Sequence, residues 1–445
     1  MNAQGESGTH DVARAIDDAP WSSFQKWVLA SLALVFAADG LANQSLGIAL
    51  PSIIMDWGVG KAALAPVHAA NLAGVAFGSI LGGLLGDRIG RRWALIGAIL
   101  LFGSMTSAGA LAQDTTQLMI VRFIDGLGIG AAIPNGAALI SEFTPQRRRG
   151  WAIAVGMVFI PIGGVAAGAL GASLLEVMGW RAMLLAAGIL PLALGAVFLF
   201  TLPESPAFLL RAGKEEALSR LLRKCAIVPP PGHRFTTPPV DRSVTAPMRA
   251  LLAGDLRMQT LLLWCGFFAC LMATYTLFSW VPTMLHTLGF DLTTTSIGLV
   301  TFHSGSVMGA LLSGILLDRK GFRATHIGYA AIATVMAAVL AFMLDGGVLS
   351  IAIILPAMMA LGFCMSGLHN TLYTLAANTY PTAARATGVG MASAVGRLGA
   401  VLSSFTGVIS LDLGGSLGFF GLVAVLLALC GVAGWAVRTR GGKAA

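Results

Sequence analysis

Charge is scarce in this chain. Asp, Glu, Lys and Arg make up 11% of its 445 residues, whereas soluble domains carry about 25%. A freely soluble globule of this size is therefore excluded. Cysteine is scarce too: Cys225, Cys265, Cys270, Cys364 and Cys430 form no CxxC or other metal-ligand spacing. Four of the five lie in apolar runs and read as small buried apolar residues. No Gly-x4-Gly-Lys-Ser/Thr motif is present, which excludes a P-loop ATPase. No nucleophile–base pair or metal triad stands out, so the chain does not read as an intramembrane enzyme. The segment before the first apolar run does not read as a signal peptide. The segment 1–26 is polar and includes Asp11, Asp17 and Asp18, and the first span is expected to serve as an uncleaved signal.

What the chain has in quantity is apolar surface, at 56% hydrophobic residues. Runs of about 20 apolar residues, the length needed to cross a bilayer as a helix, recur twelve times. They lie near 27–50, 66–86, 93–112, 117–141, 152–175 and 181–202, then near 258–285, 295–317, 326–344, 350–377, 387–410 and 417–437. The predicted fold is an all-α membrane protein of twelve transmembrane helices in two six-helix pseudo-symmetric halves. The expected divisions are a tail (1–26), a first half (27–202), a central loop (203–257), a second half (258–437) and a short tail (438–445). The central loop holds Pro229-Pro230-Pro231 and Pro238-Pro239 and reads as linker. Within it, 211–220 reads as a short amphipathic helix on the membrane surface.

The net charge of +8 is a topology signal and no nucleic-acid footprint. Of 28 Lys and Arg, 24 fall in segments on one side if the chain starts there. Only Lys61 and Arg181 fall on the other, and Arg122 and Arg397 lie inside spans. Lys and Arg favour the cytoplasmic side, so both termini are expected in the cytoplasm of a bacterial cell, with the chain in the inner membrane.

The two halves repeat. Gly83-Leu-Leu-Gly-Asp87-Arg88-Ile-Gly90-Arg91-Arg92 follows span 2, and Gly314-Ile-Leu-Leu-Asp318-Arg319-Lys-Gly321-Phe-Arg323 follows span 8. One constant offset relates Gly83 to Gly314, Asp87 to Asp318, Arg88 to Arg319, Gly90 to Gly321 and Arg92 to Arg323. Pro145 and Arg149 recur as Pro381 and Arg385. Two halves in the same orientation are the parallel-repeat design of a rocking transporter. Gly74, Gly78, Gly82 and Gly86 recur every fourth residue in span 2, and Gly126, Gly128 and Gly130 crowd span 4. Such small faces let helices approach closely.

The Gly-x3-Asp-Arg-x-Gly-Arg-Arg loop resembles the signature of the major facilitator superfamily. Arg122-x3-Gly126-x-Gly128-x-Gly130-x3-Pro134 in span 4 is similar to a second motif of that superfamily. Gly156-x4-Pro161-x-Gly163-Gly164 in span 5 is an imperfect form of its antiporter signature, which weakens a multidrug-efflux reading. Four further segments resemble the aromatic acid:proton symporter family. They are Asp39-Gly-Leu-Ala-Asn-Gln, Ser141-Glu142-Phe-Thr-Pro145-Gln-Arg-Arg-Arg149-Gly150, Tyr380-Pro-Thr-Ala-Ala-Arg385-Ala-Thr-Gly388 and Gly396-Arg397-Leu-Gly399. The resemblance covers about 27–437 without the middle of the central loop. It departs at Ala42, where that family usually has a second Asp. The resemblance implies a monomeric secondary transporter that imports a benzoate-like acid with protons and needs no cofactor besides them. A carrier of sugar acids or dicarboxylates is the alternative; a uniporter and a receptor are also open.

A charge inside the bilayer is costly unless paired or hydrated, so intramembrane ionisable residues are read first as functional. Asp39, near the middle of span 1 with Asn43 and Gln44 one turn on, is the first candidate for proton coupling; a fixed ion pair with an arginine is the alternative. Arg397, at mid-depth in span 11, offers a planar fork to a carboxylate, or else is a permanent partner of Asp39 or of a carbonyl. The superfamily motif implies a cavity-facing role for Arg122, in substrate attraction or proton transfer. Asp125, three residues on, could instead simply pair with it. Tyr275, His303, His369, Asn370 and Tyr373 complete the candidate substrate set, with interhelical hydrogen bonds as the competing role for the histidines. Ser279 and Trp280 in span 7, and the aromatics Phe36 and Phe302, are weaker candidates. So are His68 and Asn71 of span 2, of which His68 is expected near the solvated outer end. Asp87, Arg88, Arg91 and Arg92 are expected to form a cytoplasmic gate with Glu142 and Arg149. Asp318, Arg319 and Arg323 would act similarly in the second half; topological retention by positive charge alone is the alternative.

Overall fold

The computed structural model describes residues 10–227, 235–236, 251–254 and 256–438. The tracts Pro229-Pro230-Pro231 and Pro238-Pro239 lie outside them. The main helices run in the order α1 (Val12–Asp18), α2 (Ser23–Trp57), α3 (Ala65–Ile89), α4 (Arg91–Gly109), α5 (Thr115–Phe143), α6 (Gln146–Thr201), α7 (Pro206–Arg211), α8 (Glu215–Lys224), α9 (Leu256–Thr287), α10 (Leu292–Asp345), α11 (Ile351–Thr379) and α12 (Thr382–Ala436). Among the described residues nine helices are long and apolar enough to cross a membrane. Three of these are double-length and are broken at glycine: α6 at Gly179, α10 at Gly321, and α12 at Gly414 and Gly415. The nine helices therefore supply twelve spans. Spans 1 to 4 are α2 to α5; α6 carries spans 5 and 6. Span 7 is α9, α10 carries spans 8 and 9, span 10 is α11, and α12 carries spans 11 and 12. Six helix-interior prolines, Pro51, Pro134, Pro161, Pro191, Pro282 and Pro356, sit in these spans, where neighbouring helices can satisfy the freed backbone groups.

The sequence repeat is also a repeat of backbone geometry. Gly90 ends span 2 at φ +102°, and its counterpart Gly321 ends span 8 at φ +73°. Both turns need the left-handed region that glycine enters without steric cost. The helix contacts repeat as well. Gly74 and Gly78 of span 2 lie against the backbone of Phe123 and Leu127 in span 4. Gly305 and Gly309, their counterparts at the same offset, lie against Met359 and Phe363 in span 10. At these four positions a Cβ would run into backbone.

The helices pack by half. Span 1 lies along α6, span 2 against span 4, span 7 against α12, and α10 against span 10. On the basic side, the amino-terminal tail and the central segment dock on the first half. Val12 and Ile16 of α1, and Leu218, Leu221 and Leu222 of α8, are buried in one apolar cluster with spans 1, 3 and 4. The amphipathic helix thus departs from expectation in two ways. It begins at Glu215, because Gly213 turns left-handed at φ +67°. Its apolar face is covered by protein, so it is no membrane-surface helix. A two-residue parallel pairing joins His10–Asp11 to Phe235–Thr236.

Two helix starts on this side are capped by carboxylates from elsewhere. Span 5 begins after Pro145, which has no capping side chain; Asp17 accepts from the Gln146 N–H at 2.7 Å and pairs with Arg149 at 3.8 Å. Span 3 begins after Gly90, and Glu204 accepts from the Arg92 N–H at 3.1 Å. Caps of this kind satisfy the orphan N–H groups of a first turn and suit the helix dipole.

Candidate functional site

Asp39 is 2% exposed, and its Oδ1 has no hydrogen-bond partner among the described residues. The glycines beside it explain how close its neighbours come. Gly40 faces the Ile160 carbonyl of span 5, and Gly163 of span 5 faces the Ala37 carbonyl and Leu41 N of span 1. Spans 1 and 5 therefore meet backbone to backbone around the carboxylate. Arg397 and Asp125 are charges that bear on it, but among the described residues no ion pair to Asp39 forms. Arg397, half-buried, donates at 3.4 Å to the Val75 carbonyl of span 2. It makes no ion pair among the described residues.

Tyr275 of span 7 faces Asn43, with Asp39, Arg397 and Tyr373 close enough to act on its hydroxyl. His369 and Tyr373 lie one turn apart on span 10 with ring centroids 5.2 Å apart, and Phe267 and Tyr373 form a T-shaped pair at 5.0 Å. Tyr373 is 37% exposed, and its hydroxyl is 3.1 Å from that of Ser393. One locus at the junction of the halves thus brings together Asp39, Asn43, Tyr275, His369, Tyr373 and Arg397. Asn370 is not part of it. One residue along a helix is a turn of about 100°, and its amide instead donates to Ser313 Oγ of span 8 at 2.9 Å. Gln44 is buried and forms no side-chain hydrogen bond among the described residues.

Arg122 and Asp125 form a separate, fully buried cluster, both 0% exposed. Arg122 Nη1 donates to Asp125 Oδ2 at 2.9 Å. Thr106 of span 3 donates to Asp125 Oδ1 at 2.9 Å, and Asn71 of span 2 donates to the Arg122 carbonyl at 3.0 Å and to Asp125 Oδ2 at 3.3 Å. Ser45 of span 1 lies at 3.5 Å from Arg122 Nη2. The pair is intrahelical, as its spacing allows, but it is closed by spans 1, 2 and 3. In this conformation it does not face open space.

Residues 32–404 match the profile of the Major Facilitator Superfamily. The chain belongs to this superfamily. It is similar, at 32% identity over 93% of this chain and 92% of the relative, to the 4-hydroxybenzoate transporter PcaK of Pseudomonas putida. It is 34% identical to the gallate transporter of Pseudomonas putida, over 97% of this chain and 96% of that one. Among solved structures, the xylose transporter XylE from E. coli in a partially occluded inward-open conformation superposes with a TM-score of 0.72. It is 18% identical and covers 95% of this chain and 100% of its own. The superfamily's two-half frame organises the remaining candidates.

Polar contacts between the halves fall at mid-depth or on the side away from the basic face. Among the described residues they include the Arg397 bond to Val75, Tyr275 facing Asn43, the ion pair Lys61–Asp412 at 3.1 Å, Thr293 N–H to Glu176 at 3.1 Å, Thr293 Oγ1 to Ala172 O at 3.3 Å, and His286 beside Met55 Sδ at 3.3 Å. Among the described residues, no hydrogen bond or ion pair joins the halves on the basic side. This superfamily member is closed on one side and unlatched on the other. The gate candidates are accordingly occupied within their own halves. Arg91 pairs with Asp87 at 2.5 Å, Arg92 donates to the Leu199 carbonyl at 2.6 Å, and Glu142 accepts from the Ser205 hydroxyl. Arg149 pairs with Asp17, and Arg323 donates to the Val437 carbonyl at 3.3 Å. Arg88, Asp318 and Arg319 are exposed and unpaired among the described residues. The expected meeting of the Asp87 loop with Glu142 and Arg149 is not made in this state.

Two further candidate histidines are buried. His303 is 1% exposed and packed between the halves, with the Phe278 ring between it and Tyr275. His68, expected at a wet end of span 2, is buried with neither ring nitrogen partnered among the described residues. Ser45 and Thr106 are not legible as candidates in the sequence. Their hydroxyls carry no charge, and only the packing of spans 1 and 3 on span 4 reveals them.

Proposed function

We propose that this chain is a proton-coupled importer of aromatic carboxylates, working as a monomer in the bacterial inner membrane with both termini in the cytoplasm. Protons are its only coupling species, and it needs no cofactor. The basic side is then cytoplasmic, and the conformation is inward-open. Relatives named for 4-hydroxybenzoate and gallate over more than nine-tenths of the chain support the substrate class. The single observation that carries the reading is Arg397. It is a guanidinium at the junction of the halves, without a carboxylate partner among the described residues, in the locus that also holds Tyr275 and Tyr373. A guanidinium offers two parallel donors to a carboxylate, and the rings offer a face to an aromatic substrate.

In the proposed cycle the outward-open state takes up acid and proton from the periplasm. Neutralising Asp39 and occupying Arg397 remove two uncompensated charges from the junction and lower the barrier to closure. Opening inward releases both. The Asp87 loop, Glu142 and Arg149, with the Asp318 loop, would latch the cytoplasmic side in the opposite state. Arg122 and Asp125 would take part in proton coupling through their hydrogen bonds to span 1. The test is uptake of labelled 4-hydroxybenzoate by proteoliposomes under an imposed pH gradient. Uptake should follow the gradient and reverse with it, and Arg397→Ala should abolish saturable binding. Gradient-independent uptake sinks the symport reading, and unchanged binding in the variant removes Arg397 from the site.

A further inference from the structure

The periplasmic closure is built on one face of span 5. Gly164, Gly168 and Gly171 lie there at helical spacing, and span 8 of the other half rests on them. The His303 ring faces Gly164, Val300 and Ser296 face Gly168, and Ser296 faces Gly171. A Cβ at Gly164 would stand 2.7 Å from three atoms of the imidazole, so the ring fills the space a side chain would need. His303 is packed by Phe278 at 5.0 Å and Phe302 at 5.6 Å between ring centroids. Neither ring nitrogen has a protein partner among the described residues.

Among the described residues no charged or titratable group hydrogen-bonds this ring; the titratable Tyr275 lies behind Phe278, with ring centroids 5.8 Å apart. Span 5 brings glycine, and span 7 brings Phe278. The nearest hydroxyls on span 8, Ser304 and Ser306, donate to the carbonyls of Val300 and Phe302, and Ser306 also to Gly362 of span 10. Burying an unpartnered neutral polar group costs a few kcal/mol, whereas an unpaired charge costs far more. An imidazolium therefore has no place in this seat.

We infer that His303 is a proton-sensitive closure element: it seats on Gly164 only as the neutral imidazole, so acid on the periplasmic side holds the transporter open to that side. When the halves rock, span 8 leaves span 5, and His303 exchanges its proton with periplasmic water. The sign is opposite to that at Asp39. There a bound proton removes a charge and favours closure; at His303 a bound proton adds a charge and forbids it. His303 is thus a brake on closure rather than a carrier of the coupled proton. The inference rests on alternating access and the orientation given above, and is independent of which acid is carried.

The test uses Ser296→Cys, which places a thiol under Gly171 in the closed periplasmic face. An impermeant maleimide is applied to right-side-out vesicles without substrate. Rates are divided by those of the unfolded chain at the same pH, with the unmodified chain's five cysteines as background. A hydrated imidazole titrates near 6.5, so going from pH 7.5 to 5.5 should raise the open fraction by about tenfold. His303→Gln and His303→Leu should each flatten the pH dependence, and either suffices if the other fails to fold. Gly164→Ala should raise labelling at every pH. A flat profile in the Ser296→Cys parent overturns the inference, as does a slope retained in the His303 variants.

Discussion

Asp125→Asn is the most informative single change in the first half. It keeps the shape of the side chain and removes one charge from a pair in which both members are 0% exposed. Arg122 then stays buried without an opposite charge, its side-chain contacts reduced to neutral groups, an amide and the Ser45 hydroxyl at 3.5 Å. Breaking a buried ion pair from one side costs about 3–5 kcal/mol, while replacing both members by neutral groups is often close to neutral. At 1.4 kcal/mol per tenfold, the single variant should lose roughly two to three and a half orders of magnitude in its unfolding equilibrium. The double variant Arg122→Gln/Asp125→Asn should regain all but about 1–2 kcal/mol of this. Denaturant unfolding in bicelles, followed through the nine tryptophans, measures all three differences. If the losses of the two single variants simply add in the double, the pair does not hold the cluster and the reasoning fails. The double variant also separates structure from coupling. It should fold, yet its uptake should cease to follow the pH gradient. If uptake still follows the gradient as in the parent, the pair is structural alone.

Two other changes address the cycle. Asp39→Asn should exchange labelled for unlabelled substrate across proteoliposomes at a rate near the parent's, while losing gradient-driven accumulation; retained accumulation would clear Asp39 of coupling. Lys61→Cys with Asp412→Cys replaces the ion pair at 3.1 Å by two thiols at the rim away from the basic face. Oxidation should block uptake and reduction restore it, and full activity of the cross-linked protein would show that this rim need not open.

Much of this is legible from residue order. The apolar spans, the two halves and the repeat depend on local composition and spacing, and the left-handed turns at Gly90 and Gly321 sit where the repeat puts them. The buried charges can be singled out because so few exist. Helix rotation cannot be read. In a bilayer both lipid-facing and core-facing positions are apolar, so periodicity does not tell which face turns inward. That is why Asn370 groups with His369 in the sequence although it faces span 8, and why Ser45 and Thr106 escape notice. Position along span 2 assigns His68 to water. Its burial depends on which neighbours span 2 has at that depth. The amphipathic helix is visible as a pattern, placed at 211–220, but its true start at Glu215 and its covering by the first half are not, since the pattern is the same over lipid and over protein.

The carboxylate that Asp17 lends to the start of span 5 has a practical consequence. Pro145 leaves that helix end without a cap of its own, so the first turn of a membrane span is finished by a residue that precedes every span. Trimming the chain to its hydrophobic body, ahead of Ser23, would leave the Gln146 N–H and Arg149 without that partner and uncover the apolar cluster that Val12 and Ile16 help close. What looks like a dispensable leader is a splint for the first half, and a probe attached to it would travel with that half as the protein rocks.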